Sequence, residues 1–264
     1  LELMQKASST RKGGLTFAPE AGTQRLRDVV NKNITEDNLL KAMELALRGG
    51  WSGAKLYFML GLPTETMEDV DGIAHLARAI EARYNELPRF ERPRRLELSI
   101  STAMFIPKPF TPFQWVAQAD LDTMREHQIH LKEKLRSCRS VKYNWHEPRT
   151  SYIEGVLARG DRRLGPVILA AWAGGARFDA WDEQFKYDLW LDCLNQAGLD
   201  PNFYARRIRS RTEVFPWDHI DCGVTTDFLW AEYEQALSAA TTPECREQCS
   251  ACGAQSFGGG VCFE

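Results

Sequence analysis

The sequence predicts an α/β chain: a parallel sheet with helices outside it over residues 1–140, a mainly helical unit over 141–240 and a Cys-rich segment over 241–264. Three observations predict this. Short β-prone runs alternate with helical apolar spacing through the first third of the chain. From about Val141 strand-like alternation becomes scarce, and six of the eight tryptophans follow. Cys245, Cys249, Cys252 and Cys262 fall within the last twenty residues, whereas Cys138, Cys193 and Cys222 are isolated.

Gly14-Leu15-Thr16-Phe17-Ala18 is a β-prone run between Gly13 and Pro19. Thr35 is an N-cap for a helix over Glu36 to Arg48, with Leu39, Leu40, Met43 and Leu47 in helical spacing and Gly49-Gly50 as its stop. Ala54 to Leu60 is a nearly continuous apolar run, the pattern of a strand buried on both faces. After Gly61-Leu62-Pro63, Thr66 and Asp69 form a capping-box pattern for a helix that carries Val70, Ile73, Ala74, Ala77 and Ile80 to about Leu87. Leu96 to Phe105 is a third strand, ended by Pro107, Pro109 and Pro112, and Asp120 to Arg136 is an amphipathic helix. Strand, helix, strand, helix, strand at this spacing implies right-handed crossovers and a parallel sheet. Three strands are too few for a full barrel or an ordinary doubly wound sheet. The chain opens on Leu1 rather than Met, so it reads as a fragment whose remaining strands lie upstream. In the second unit, Trp181, Phe185 and Leu189 recur every four residues up to a Gly198 cap, and Phe228 to Ser238 forms a last helix.

Composition excludes several classes. The 33 Lys+Arg against 36 Asp+Glu give a net charge of −3, no general reason for polyanion or membrane binding. The longest nearly uncharged run, Leu164 to Ala176, is too short and Gly-rich to span a bilayer, and no signal peptide opens the chain. A secreted disulfide scaffold would spread its cysteines through a small, loop-rich chain, so clustering at one end favours metal and a cytoplasmic location. No Gly-rich phosphate loop, hydrolase elbow or paired zinc histidine motif occurs.

Three segments carry candidate chemistry. Cys245-Arg-Glu-Gln-Cys249-Ser-Ala-Cys252 places thiolates at i, i+4 and i+7, with Cys262 as a fourth; soft sulfur selects zinc or an iron–sulfur cluster. Gly61-Leu-Pro-Thr-Glu65-Thr66 follows a strand at the sheet edge where α/β folds place their sites. A capped strand-to-helix turn accounts for Thr66 and Asp69 but less well for Glu65. Phe17-Ala18-Pro19-Glu20-Ala21-Gly22-Thr23 follows another strand, and Glu20 at that edge is able to bind an amine or a ribose, unless it is a solvated loop carboxylate. His127 and His130 lie three apart on a helix, more in keeping with a solvated face than a metal pair. Arg206, Arg207, Arg209 and Arg211 form a local basic run diluted by Glu213 and Asp218, a weak RNA-binding signal. Arg159 to Arg163 reads as a turn held by salt bridges.

Taken together, FAPEAGTQRLRDVVNKNIT, KLYFMLGLPTETMED and LSISTAMFIPKPFTPFQW resemble the later half of a radical S-adenosylmethionine (SAM) barrel. The downstream text NWHEP, LARGDRR, FDAW, VFPWDHID and CREQCSACG is similar to an uncharacterised family that joins a cobalamin-binding domain, a radical SAM barrel and a Cys-rich C-terminus. The resemblance covers nearly the whole chain. It implies that residues 1–140 are the C-terminal part of a partial (β/α)6 barrel using a [4Fe–4S] cluster and S-adenosylmethionine, with cobalamin in the full-length protein. It also implies a reductant such as flavodoxin or ferredoxin, and methyl transfer, methylthio transfer or rearrangement on a substrate the sequence does not show. By position, Glu20 would contact the methionine amine or ribose, Lys32 the methionine carboxylate, and Gly61 to Glu65 and Ser101 the region of the adenine. The departure is equally informative. In such enzymes the catalytic Cys-x3-Cys-x2-Cys follows the first strand; here that spacing occurs only at the C-terminus. The terminal cysteines therefore read as an auxiliary cluster, and this chain alone as unable to begin radical chemistry. The alternative is a noncatalytic zinc- or iron–sulfur-stabilised interaction module.

Overall fold

The computed structural model describes residues 14–258. Leu1 and Cys262 lie outside the described residues. The described residues form two compact units, one of residues 14–104 with 123–146 and the other of 105–122 with 147–258.

The first unit is a four-stranded, all-parallel sheet in the order β1-β2-β3-β4, built from β1 (Leu15–Glu20), β2 (Gly53–Leu60), β3 (Glu97–Met104) and β4 (Val141–Trp145). Helices α1 (Gln24–Val29) and α2 (Glu36–Arg48) join β1 to β2, α3 (Met67–Glu86) joins β2 to β3, and α4 (Leu121–Leu135) precedes β4. Sequential order without a reversal, combined with right-handed crossovers, puts successive helices on one face of the sheet. Burial follows. Ala54, Leu56, Phe58 and Leu60 of β2 and Leu98, Ile100, Thr102 and Met104 of β3 are buried, in step with Leu39, Met43 and Leu47 of α2, Val70, Ile73 and Ile80 of α3, and Met124 and Leu131 of α4.

The other face is not covered among the described residues. Lys55 and Tyr57 of β2 and Lys142 and Asn144 of β4 are exposed, and Ser99, Ser101 and Ala103 of β3 are half-buried. This corrects the expectation that β2 is buried on both faces. Its apolar run contains Lys55 and Tyr57 on the alternate positions, and one-sided burial is what the pleat then produces. The fourth strand is a second correction, because Val141–Trp145 falls where the sequence predicts a helical unit to begin. It is a five-residue strand, Val-Lys-Tyr-Asn-Trp, whose apolar–polar alternation is too short to stand out from the segments around it.

Local rules account well for the element ends. Thr35 caps α2, its Oγ1 accepting the Asn38 N–H at 3.1 Å while Asn38 Oδ1 accepts the Thr35 N–H at 3.1 Å. At α3 the Thr66 N–H donates to Asp69 Oδ2 at 2.8 Å. Such a cap is worth about 1 kcal/mol.

The second unit holds α5 (Pro148–Ala158), α6 (Leu164–Ala173), α7 (Tyr187–Gln196), α8 (Pro201–Ala205) and α9 (Thr226–Leu237). Tyr152, Val156, Val167, Trp190, Leu194 and Tyr204 share one core cluster, and Trp115, Phe215, Trp217 and Leu229 share another. The Trp181–Phe185 part of the predicted helix is a turn instead, closed by the Gln184 and Phe185 N–H groups on Trp181 O at 2.8 and 3.1 Å. The turn predicted over Arg159 to Arg163 is held by the Asp161–Arg163 ion pair at 2.6 Å, but Arg159 takes no part in it. Arg159 is buried and donates to Ala205 O at 2.8 Å and Arg207 O at 3.2 Å, tying α5 to the segment after α8. No helix among the described residues is long and apolar enough to cross a membrane.

Candidate functional site at the C-terminal sheet edge

Pro19 sets the geometry at the end of β1. It has no N–H to give the ladder, and the β1–β2 register shifts between Phe17 and Glu20. Glu20 then adopts φ 69°, a left-handed conformation that a non-glycine residue takes at a cost. A ladder irregularity of this kind re-aims a side chain. The Glu20 carboxylate meets Lys32, whose Nζ donates to Oε1 at 3.1 Å. Lys32 is itself held by its N–H on Arg27 O at 2.8 Å. The pair is reachable, with 26% of the Glu20 and 31% of the Lys32 side chain exposed. At that exposure an ion pair contributes about 0–1 kcal/mol, so an incoming ligand can separate it at little cost. Next to it in the chain, Phe17, Ala18 and Pro19 of β1 line an apolar cavity of about 230 Å³ with Ile34, Leu39 and Ala42. An opposed carboxylate and ammonium beside an apolar hollow can receive an α-amino acid zwitterion: Glu20 takes the ammonium, Lys32 the carboxylate, and the hollow an apolar side chain.

Asp69, read from the sequence only as a helix cap, and Arg27, not singled out by the sequence, hold this edge together. Asp69, in the first turn of α3, is 2% exposed and accepts from Thr23 and Arg25 as well as from the Thr66 N–H and hydroxyl. Burial pushes its carboxyl up, but the hydrogen bonds from Thr23, Thr66 and Arg25 outweigh that and hold it below the usual carboxylate range. Arg25 also donates to Thr64 O at 2.9 Å and Thr64 Oγ1 at 3.0 Å. Arg27 is buried, braces the loop through Ala21 O at 3.1 Å and Gly22 O at 3.3 Å, and has its pKa lowered by that burial. Gly22 lies so close to α3 that a Cβ would stand 2.3 Å from Asp69 O and 2.4 Å from Ile73 N. The loops after β1 and β2 are thus one braced unit.

Glu65 serves that unit rather than open solvent. Its side chain is 3% exposed, and its Oε2 accepts the Gly61 N–H at 2.6 Å and lies 2.9 Å from His127 Nδ1. Gly61 at φ 80° and Thr64 at φ 64° make the sharp turn that this carboxylate closes. Ser101 is further away, in the middle of β3 on the uncovered face, in register with Tyr57 and Asn144. The structure therefore brings Glu20 and Lys32 together, gathers Gly61 and Glu65 in the adjoining loop, and leaves Ser101 apart from them.

His127 and His130 do not converge: His130 Nε2 lies 2.6 Å from Asp71 Oδ1, whereas His127 meets Glu65. The arginine run is engaged internally. Arg207 pairs with Glu213, Arg211 with Asp227 and Arg206 with Asp120, while Arg209 is buried with its guanidinium 5.2 Å from the rings of Phe215 and Trp217.

Cys245 and Cys249 are exposed and Cys252 half-buried, all with free thiols. Thiolate chemistry suits zinc or iron–sulfur, but no group of three or more His, Cys, Asp or Glu residues is gathered to hold a metal among the described residues. The Cys252 carbonyl accepts the Thr225 N–H at 2.9 Å, which ties the end of the Cys245–Cys252 motif to the N-cap residue of α9.

No family model matches the chain, and no solved structure matches it. An uncharacterised protein of Methanocaldococcus jannaschii is 34% identical to it over 154 residues, which make up 58% of this chain. The chain spans about a third of the length of that curated relative, 32% by the matched stretch.

Proposed function

We propose that this chain is the later part of a radical SAM enzyme and that Glu20 and Lys32 bind the amino-acid end of S-adenosylmethionine. The observation that carries the reading is the Glu20–Lys32 pair: opposite charges 3.1 Å apart, partly exposed, at the C-terminal edge of a parallel sheet and beside an apolar hollow. The sheet supports it. Sequential strand order with one uncovered, polar face is the arrangement of part of a barrel wall, whose inner face the upstream half of the protein would enclose. The motif resemblance supplies the rest.

In this reading Glu20 accepts hydrogen bonds from the methionine ammonium and Lys32 donates to its carboxylate. Glu65, held by Gly61 and His127, keeps the adjoining loop in a single shape and excludes water from beneath it. When bound to a reduced iron–sulfur cluster, S-adenosylmethionine supplies hydrogen-abstracting radical chemistry. Cys245, Cys249 and Cys252, with Cys262, are the thiolates for an auxiliary [4Fe–4S] cluster in the same protein. Cobalamin, a flavodoxin- or ferredoxin-type reductant, a cytoplasmic location and transfer of a methyl or methylthio group belong to this proposal for the whole protein.

Equilibrium binding of S-adenosylmethionine to the full-length protein tests the site. Glu20→Gln and Lys32→Ala each should weaken binding about tenfold or more, with Lys32→Arg recovering part of the loss. Unchanged affinity in both variants overturns the assignment. Iron, acid-labile sulfide and zinc analysis of this 264-residue chain, purified without oxygen, tests the cysteines. Equal iron and sulfide, lost in Cys249→Ala, support a cluster; stoichiometric zinc without colour makes them a structural knuckle.

A further inference from the structure

At the opposite end of the sheet from Glu20, the N-terminal ends of the strands enclose a cavity of about 490 Å³. Lys55, Arg95, Arg139 and Lys142 line it together with the hydroxyls of Ser99 and Ser140. Register places two of these cations deliberately close. Lys55 pairs with Ser99 and Ser99 with Lys142, so the lysines stand two strands apart, about 10 Å, on the uncovered face with a hydroxyl between them. Arg95 and Arg139 come from the loops that precede β3 and β4. A second hollow of about 430 Å³ shares Arg95, Arg139 and Ser140 and adds Arg94 and the Glu81 carboxylate.

The charges here are unbalanced. Glu97 is the carboxylate of the first cavity, 3.7 Å from Arg95 with both side chains largely exposed. Lys55, Arg139 and Lys142 form no ion pair among the described residues. Four cations facing one carboxylate repel one another, and a chain with net charge −3 has no general surplus that would put them there. The volume suits a small molecule rather than an ion alone. No aromatic ring lines the first cavity, so a base has nothing to stack on, whereas guanidinium forks, ammonium groups and the Ser99 hydroxyl are donors suited to phosphate oxygens; the Ser140 hydroxyl donates to Glu81.

We propose that this cavity binds a small ligand carrying two or more phosphate groups, with Lys55 and Lys142 reaching it from the sheet and Arg95 and Arg139 from the rim. It is separate from the Glu20 edge, and its two lysines stand on the face that the radical SAM reading assigns to the barrel interior.

Calorimetric titration of the chain with inorganic tripolyphosphate tests it. Saturable one-to-one binding should weaken as salt is raised. The Lys55→Ala/Lys142→Ala double variant should lose about tenfold or more in affinity, Glu97→Gln should gain, and Lys41→Ala on the exposed side of α2 should bind like the parent. These lysines are exposed, so circular dichroism of the double variant should match the parent. No saturable binding at millimolar tripolyphosphate, or undiminished affinity in a folded double variant, overturns the proposal. It is also overturned if a single-stranded RNA binds far more tightly than tripolyphosphate and loses that binding in the same double variant, because the surface then reads a nucleic-acid backbone.

Discussion

Asp69 shows how much one side chain can organise. It caps α3 through Thr66, anchors the β1–α1 loop through Thr23 and fixes Arg25, which in turn holds Thr64. Its folded-state pKa lies below the unfolded value, so its contribution to stability is present above an ordinary Asp pKa of about 3.9 and is lost as pH falls through the folded value. Asp69→Asn should therefore lower the urea midpoint at pH 7, by an amount equivalent to about 1–3 kcal/mol, and flatten the dependence of that midpoint on pH below 4. An unchanged midpoint would mean that the hydrogen bonds around Asp69 carry no net stability. The same residue marks what was legible. The Thr66–Asp69 cap is a local pattern and is readable three residues apart, whereas Arg25 and Thr23 lie 44 and 46 residues from Asp69 and leave no trace in sequence spacing.

At the scale of elements, the site depends on how closely the loop after β1 approaches α3. Gly22 and Gly72 touch backbone to backbone: a Cβ on Gly72 would stand 2.7 Å from Gly22 C, and one on Gly22 2.3 Å from Asp69 O. Neither contact has a flexible side chain that can move aside. Gly22→Ala should therefore cost about 1–3 kcal/mol by chemical denaturation and displace the Glu20 loop, weakening any ligand bound there. A variant with parental stability would show that the two segments separate freely. Helix α2 was readable to the residue, because capping and 3.6-residue spacing are local. Strand β4 was not, because the alternation of Val141 to Trp145 runs for only five residues and its pairing with β3 joins positions some forty apart.

For the whole molecule, the exposed sheet face is the main feature. Parallel sheets are ordinarily covered on both faces, and here Lys55, Tyr57, Ser101 and Asn144 lie on a face without cover among the described residues. Tyr57 is 41% exposed and Phe58, on the other face, is 1% exposed. Phe58→Ala should cost about 3–5 kcal/mol, while Tyr57→Ala in this chain should cost less than about 1 kcal/mol. A large loss for Tyr57→Ala would show that the face is occupied in solution. In a full-length protein that closes a barrel over this face, the Tyr57→Ala loss should rise toward that of Phe58→Ala.

The sequence by itself determined the order and type of the main elements, their caps and the loops at which chemistry was sought, because helix periodicity, capping and turn residues act over a few positions. It placed Glu20, Lys32 and Glu65 among the candidates. Only the tertiary structure decided that Glu20 and Lys32 form one pair while Glu65 is drawn inward to Gly61 and His127. It also decided that β2 buries one face and that Lys55 and Lys142, 87 positions apart, share a cavity. Those outcomes depend on strand order and register, which bring distant residues within a few ångströms and which no local pattern encodes.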